Sequence, residues 1–442
     1  MENTKFYLNC KRCNHRINSF VEWFQHHQAC PSCGSLLVDV VYLQPYENIT
    51  KLIKNQSGWP QSLWHYFDYL PLINKENIVS AGGEGVQPID RWEFLEQYAK
   101  RKYGRSIKVY AHRNDRNHAT GTFKDLAGTV VASVLKESGI KNYVASSTGN
   151  IGTAYSRYLA AAEISLSVFI PITSTKAQES EIGMFGQRVY RVQGDYHEAK
   201  LMAAKFAKEN KFVLTGGNFD PMRIEAKKVM VYEWLRALPE FPTVFMQAIS
   251  GGSGPIGIEK ACRELADTSL KVKLPRFILP QPNRCAPMAE AWDLAKDKKF
   301  PQGWEQEYPI YENPQTIIPT LSTGNPNAYP ALAPMVKESG GEILSSNEDR
   351  AYDVSRLLAY ELGVKLGPAS SITVVGFFES LWKGFIKDGD VVLLNIGEGV
   401  GRAPEFVEKL AYTTQNVNSH EECIFTDRKI FSKHLWNAIE TI

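Results

Sequence analysis

No apolar run in the sequence approaches the roughly 20 residues needed to cross a bilayer, so no membrane partner is expected. The opening MENTKFYLNC has no basic stretch followed by an apolar one, and a cytoplasmic setting is the expectation. Excess charge is missing too. Fifty Lys and Arg against 48 Asp and Glu leave a formal net charge of +2 over 442 residues, which is not the strong basic footprint of a dedicated nucleic-acid binder. Internal repeats and low-complexity tracts are absent. What remains, 43% hydrophobic and 22% charged, is an ordinary globular composition, and the length suits two or three domains with sizeable cores.

Short β-prone runs alternate with helical stretches over most of the chain. NYVASS, LSVFIPI, RVYRVQG, KFVLTGG, TVFMQAIS, PRFILPQ and VVLLNIG are separated by patterns such as AYSRYLAAA and YHEAKLMAAKFAKEN. That alternation predicts an α/β fold, a parallel doubly wound sheet with helices on both faces. Residues 46–80 read as an irregular linker entering the fold, and 295–320, rich in Pro, Gln, Glu and Tyr, as an excursion over the surface.

Cysteine is sparse but ordered. Cys10, Cys13, Cys30 and Cys33 stand as C-x2-C-x16-C-x2-C, the spacing of two knuckles that give four thiolates to one tetrahedral Zn(II). Four soft ligands leave no open position, so the expected zinc is structural, stapling a module of residues 1–45 too small to build a core alone. Two disulfides are the alternative. Lys11, Arg12, His15 and Arg16, interleaved with Phe20, Trp23 and Phe24, also raise a rival reading of another class: a zinc-ribbon nucleic-acid-binding protein on a non-catalytic α/β scaffold. The near-neutral net charge weighs against it. Cys262, Cys285, Cys423 and the lone His420 show no metal spacing.

Three loops carry chemistry. TGTFKDLAG, residues 120–128, puts Lys124 in a Gly/Thr turn between a strand and a helix, where a dry amine can lose its proton and condense with a carbonyl as a Schiff base, the way pyridoxal phosphate is held. An exposed Lys beside Asp125 is the alternative. In 143–162 a Ser/Thr/Gly/Asn turn opens a helix, offering hydroxyls and free N–H groups to a carboxylate or phosphate, with Asn150 able to reach a phenolic oxygen. In 244–263 an apolar strand runs into a glycine cluster, an anion nest. Gly252, Gly254 and Gly257 also fit the dinucleotide pattern G-x-G-x-x-G; no acidic residue is obvious at the end of the next strand, although Arg284 could serve a 2′-phosphate.

In order along the chain, GGEGVQPI (82–89), TGTFKD (120–125), SSTGNIG (146–152), NFDPMRIEAKK (218–228), ISGGSGPIG (249–257), STGNP (322–326) and LGPASSITVVG (366–376) resemble the threonine synthase and cysteate synthase branch of fold type II pyridoxal phosphate enzymes. LWHYFDYLP (63–71) is similar to the lead-in of the same branch, and the resemblance spans roughly 60–400. It implies a tryptophan synthase β-like fold of two domains, with residues 46–135 and 218–442 as the large cofactor-binding domain and 136–217 as a small mobile one. It further implies that Lys124 makes the Schiff base, that Asn150 meets the cofactor's ring hydroxyl, and that Gly251, Gly252, Ser253 and Gly254 hold its phosphate. Ser147, Thr148 and Gly149 would take the substrate carboxylate. Arg223, and Lys176 as a second candidate, would bind the substrate's own phosphate, a task suited to the planar guanidinium fork.

Two positions depart from the family pattern. Leu126 stands where an Arg often follows the Lys-Asp pair, and LLNIGEGVGR (393–402) has no hydroxyl to meet the pyridine nitrogen. Glu398 is the candidate there, with an exposed loop Glu as the alternative. The resulting expectation is an enzyme acting on a small amino acid, with homodimer formation left open. It would eliminate phosphate from an O-phospho amino acid and add a nucleophile, water to O-phosphohomoserine or sulfite to O-phosphoserine. A specialised biosynthetic relative with another leaving group or nucleophile is the alternative.

Overall fold

The computed structural model describes residues 5–54, 60–147, 149–410, 414–424 and 428–441. Three strands, Phe6–Cys10 (β1), Arg16–Ile17 (β2) and Val38–Tyr42 (β3), form an antiparallel sheet of order β2-β1-β3. Strict alternation along β1 and β3 buries Phe6, Leu8, Val38, Val40 and Tyr42. The helix Phe20–Gln25, capped by the Ser19 hydroxyl accepting from the Glu22 N–H, adds Phe20, Trp23 and Phe24 to that core. These three aromatics are thus buried and offer no stacking surface, while Lys11, Arg12, His15 and Arg16 remain exposed.

Among the described residues ten further strands follow: Ile89–Arg91 (β4), Lys108–His112 (β5), Asn142–Ser146 (β6), Ser165–Pro171 (β7), Arg188–Val192 (β8), Val213–Leu214 (β9), Val244–Met246 (β10), Arg276–Pro282 (β11), Glu342–Ser346 (β12) and Val391–Asn395 (β13). Six make a sheet of order β12-β11-β10-β13-β5-β4, parallel except at the edge, where β4 runs antiparallel to β5. Four make a parallel sheet of order β8-β7-β6-β9, confined to residues 142–214. The central strands read as unbroken apolar runs because helices cover both faces; all five residues of β13 are buried. The fold is therefore the expected α/β class, with a small separate sheet at the N-terminal end. No described helix is long and apolar enough to cross a membrane.

Two irregular segments are anchored by aromatic side chains. The described residues of 46–80 are largely irregular, as expected, yet packed: the turns over Leu63–Tyr69 bury Leu63, Tyr66 and Tyr69, the Tyr66 hydroxyl donates to Glu233 at 2.6 Å, and Trp64 Nε1 donates to Thr129 at 2.8 Å. Aromatic side chains without regular periodicity gave no hint of this burial. The stretch 295–320 runs largely over the surface and is anchored by Trp304, packed edge-on against Trp292, Phe300 and Tyr329.

The N-terminal sheet is fused to the rest by polar groups. Tyr42 donates to Glu225 at 2.8 Å; Lys260 reaches Asp39, the Val40 carbonyl and Glu225; and Lys228 pairs with Glu225 and Glu264, both at 2.7 Å. Glu225 and Lys228 lie on the helix Pro221–Ala237, which also carries Arg223.

Candidate active site

The turn before the helix Lys124–Glu137 is built to hold one side chain. Asp125 accepts from the Ala119 and Thr120 N–H groups, both at 3.1 Å, and from the Thr120 hydroxyl at 2.7 Å, while the Thr122 hydroxyl accepts from the Lys124 N–H at 3.1 Å. Burial pushes the Asp125 carboxyl up to about 7. The turn is also tied to the loop after β13, through Phe123 N–H to the Gly397 carbonyl and Gly399 N–H to the Gly121 carbonyl, each 3.0 Å. Lys124 is the first residue of its helix and opens into a cavity of about 510 Å³. Loss of solvent, then the nearby Arg223 guanidinium, lower its amine to about 7, against a weaker opposing pull from Glu398. A lysine on an exposed face would not behave so.

The glycine loop lines the same cavity. Gly251, Gly252, Ser253 and Gly254 precede and open the helix Ser253–Leu265, whose first N–H groups point at the cavity end. A Cβ at 254 would fall 2.6 Å from Gln247, and one at 251 would fall 2.1 Å from Asn218, so glycine lets backbone approach here. Gly257 plays another part: a Cβ there would lie 2.9 Å from the Ile224 carbonyl, where this helix packs on Pro221–Ala237. The third glycine of the dinucleotide pattern thus serves helix packing, and Arg284 pairs with Glu348 and Asp349 at 2.9 and 2.8 Å, outside the cavity lining.

Arg223 is 7% exposed and lines the cavity; its Nη1 donates to the Gly217 carbonyl at 2.7 Å, and its buried Nε has no partner in the protein. It is no surface arginine paired with Glu225, whose carboxylate faces Tyr42, Lys228 and Lys260 instead.

Ser147, Gly149 and Asn150 line the cavity from the small sheet's side; Thr148 lies outside the described residues. The Ser147 hydroxyl is engaged by its own turn, accepting from the Gly149 and Gly152 N–H groups at 3.1 and 3.0 Å and donating to the Gly149 carbonyl at 3.0 Å. Asn150 Nδ2 donates to Glu398 at 2.7 Å, and its Oδ1 accepts from Arg402 at 3.1 Å. Glu398 is 2% exposed, no exposed loop residue; burial raises its carboxyl above the usual range, opposed by the Ala369 N–H at 2.8 Å and by Asn150. Lys176 is exposed at the start of the helix Lys176–Met184 and is not among the lining residues; that helix buries Gln178 and Ile182 instead. A Cβ at Gly149 would sit 2.6 Å from Gln178 Nε2.

Several lining residues received no role from the sequence, two of them inside the 366–376 motif. Ser370 and Thr373, on the helix Pro368–Trp382, line the cavity; the Ser370 hydroxyl donates to the Glu398 carbonyl at 2.8 Å and accepts from its N–H at 2.9 Å, and the Thr373 hydroxyl accepts from the Ala248 N–H at 2.9 Å. His197 and Lys200, from the helix Tyr196–Asn210, line it from the opposite side. Surface-type residues on an amphipathic helix look alike whether or not a cavity lies beneath them.

A second constellation lies in the N-terminal sheet. The four sulfur atoms of Cys10, Cys13, Cys30 and Cys33 lie within 4.8 Å of one another, with Cys10–Cys33 and Cys13–Cys30 both at 3.6 Å. Backbone hairpins close each knuckle: Asn14 N–H to the Cys10 carbonyl, and Gly34 N–H to the Cys30 carbonyl, both 2.9 Å.

Comparison with known proteins agrees with this architecture. Residues 81–397 match the family described as pyridoxal-phosphate dependent enzyme. Threonine synthase of Methanocaldococcus jannaschii is 27% identical over 377 residues, covering 83% of this chain and 87% of its own. Cysteate synthase of Methanothrix thermoacetophila is 25% identical over 392 residues, covering 85% and 91%. Among solved structures, diaminopropionate ammonia lyase of Escherichia coli superposes with a TM-score of 0.62 at 14% identity over 82% of this chain and 91% of that one, and cysteine synthase of Entamoeba histolytica with 0.58 at 16% over 83% and 96%. At such identities the superpositions show the fold alone.

Proposed function

We propose that this chain, which belongs to the pyridoxal-phosphate dependent enzymes, eliminates phosphate from an O-phospho amino acid and adds a nucleophile to the product. The observation that carries this is one cavity holding a lysine amine lowered to about 7, a glycine-lined helix N-terminus, and a separate buried arginine with an unpartnered Nε.

The residues fit the cofactor. Gly251 and Gly254 leave room where any Cβ would clash, the orphaned Arg223 Nε and the uncompensated buried lysines ask for anions, and the Asn150 amide stands near the Lys124 turn through Glu398. Pyridoxal phosphate bound there supplies an aldehyde that condenses with amines and a ring that takes up the electrons left when a Cα proton departs. Lys124, its amine lowered to about 7, would be suited both to join that aldehyde and, once displaced by the substrate amine, to move the Cα proton. Gly251, Gly252, Ser253 and Gly254 hold the cofactor phosphate, and Asn150 takes the ring hydroxyl. Glu398, hydrogen-bonded to Asn150, would be the residue for the ring nitrogen, with the Thr373 hydroxyl, which accepts from the Ala248 N–H, as the alternative; the Ser370 hydroxyl is already spent on the Glu398 backbone. The 147–149 turn receives the substrate carboxylate through its backbone, since Ser147 already caps the turn, and Arg223 binds the leaving phosphate.

Residues 136–217 are read as the small domain that closes on substrate. The loop after β13 already reaches across to it: Glu398 accepts from Asn150, and Arg402 donates to Asn150, to Glu181 and, at 3.0 Å, to Thr153. Phosphate release from O-phosphohomoserine and from O-phosphoserine, with water or sulfite as nucleophile, tests the reading. Release from one of them with formation of the matching amino acid is expected; turnover of neither would remove the substrate class while leaving the cofactor.

We further read the four cysteines as a structural Zn(II) site. A tetrahedral thiolate site with Zn–S of ~2.3 Å spaces its sulfurs by roughly 3.8 Å, and the two distances of 3.6 Å suit it. Elemental analysis should find about one zinc per chain, lost in Cys30→Ser. Since metal binding is folding energy for so small a sheet, chelation should loosen residues 6–42 in hydrogen exchange and leave the cofactor's absorption in place. Loss of catalysis with that segment still protected would contradict a structural role.

A further inference from the structure

Lys227 stands behind the glycine loop, outside the cavity lining, and neither the catalytic lysine nor the arginine accounts for it. Its side chain is fully buried, and its Nζ donates to the Ser253 hydroxyl at 3.0 Å. Gly257 makes that reach possible, because a Cβ there would fall 2.8 Å from the Lys227 Cβ. The next residue, Lys228, turns the other way and is matched by Glu225 and Glu264. Lys227 is not matched: among the described residues no carboxylate lies within ion-pair distance of it. Asp220 acts on it only at longer range, whereas Arg223 and Lys124 add like charge, and with burial they drive its amine well below the ordinary lysine range. A buried cation with no counter-charge is expensive to keep. Here it touches the first residue of a helix whose free N–H groups already favour an anion. A dianion at the loop would reverse the sign of its surroundings.

We propose that Lys227 is the counter-charge of the cofactor phosphate, linked to it through Ser253, so that the cradle is ionic rather than built of backbone amides alone. This rests on the cofactor reading above. It concerns affinity for the phosphate group and gives Lys227 no contact with the reacting atoms, so it is a positioning residue.

The test uses the full-length chain stripped of cofactor, as wild type, Lys227→Met and Lys227→Gln, titrated with pyridoxal phosphate and with pyridoxal, which lacks the phosphate. Both variants should bind pyridoxal phosphate on the order of tenfold or more weakly and pyridoxal as well as wild type does. Without cofactor, Lys227→Met should melt at or above wild type, since a buried amine with no carboxylate partner has gone. Equal losses for the two ligands, no loss for either, or a lower melting temperature without cofactor would each overturn the proposal. A wild type that takes up neither ligand removes the cofactor reading and this inference with it.

Discussion

Lys124→Ala should give a protein that stays colourless when mixed with pyridoxal phosphate, whereas wild type turns yellow and loses its absorption band on borohydride treatment. Turnover should fall by roughly 10²–10⁴-fold from the missing proton transfer alone. The expectation follows from geometry: Lys124 opens the cavity-facing end of its helix, and its turn is bonded to the loop after β13, so no other lysine can take its place. Lys227 comes nearest, and it is held by Ser253 behind the loop. The sign of the pH dependence is fixed as well. Only the neutral amine attacks an aldehyde, and burial and Arg223 lower the Lys124 amine to about 7. The rate at which cofactor-free protein takes up pyridoxal phosphate should therefore rise as pH is raised through about 7 and level off above it. A rate still climbing toward the ordinary lysine range of ~10.4 would show that the amine is not desolvated, and a wild type that never colours would end the enzyme reading.

How far the site was legible depends on whether its cause is local. The turn at 120–125 and the glycine loop at 251–254 are local: a Gly/Thr turn or a glycine cluster between a β-prone run and a helical one has few backbone solutions, so the sequence alone positions Lys124 and the anion nest. The alternation that encodes the parallel sheets is local too, and so are the paired knuckles that bring four sulfurs together. Non-local features left no such mark. Ser370 and Thr373 reach the cavity because Pro368–Trp382 packs beside β11, and Gln178 rather than Lys176 faces inward because of the phase of its helix against the 147–152 turn. Ser147 looked like a free hydroxyl and caps its own turn. The role of Glu225 was invisible for the same reason, since its partners Tyr42 and Lys260 are 183 and 35 residues away. In NFDPMRIEAKK, helical periodicity splits neighbours by function: Arg223 and Lys227, four apart, face the cavity and its phosphate loop, while Glu225 and Lys228 face the N-terminal sheet.

Arg223→Ala separates the two anion sites of the cavity. The cofactor phosphate is assigned to the loop 251–254 and the substrate phosphate to Arg223, so the variant should keep its yellow colour and nearly all its cofactor affinity. Against the phosphorylated substrate, losing one side of a buried charged contact should cost roughly 2 to 4 kcal/mol, or roughly 30- to 1,000-fold in kcat/KM. The unpartnered Nε is why the loss should be specific: one donor is spent on the Gly217 carbonyl, leaving the rest of the guanidinium for a ligand. A second readout guards against a merely local disturbance. The Arg223 charge helps to lower the Lys124 amine, so removing it should move the midpoint for cofactor uptake above about 7, with the alkaline plateau unchanged. A purely structural role would lower the plateau or the melting temperature without shifting that midpoint. If Arg223→Ala instead releases the cofactor while the reconstituted enzyme keeps its kcat/KM, the two phosphate sites are exchanged. The O-phospho substrate then loses its residue-level support, because apart from Lys124 itself no other cation lining the cavity is both buried and short of a partner among the described residues.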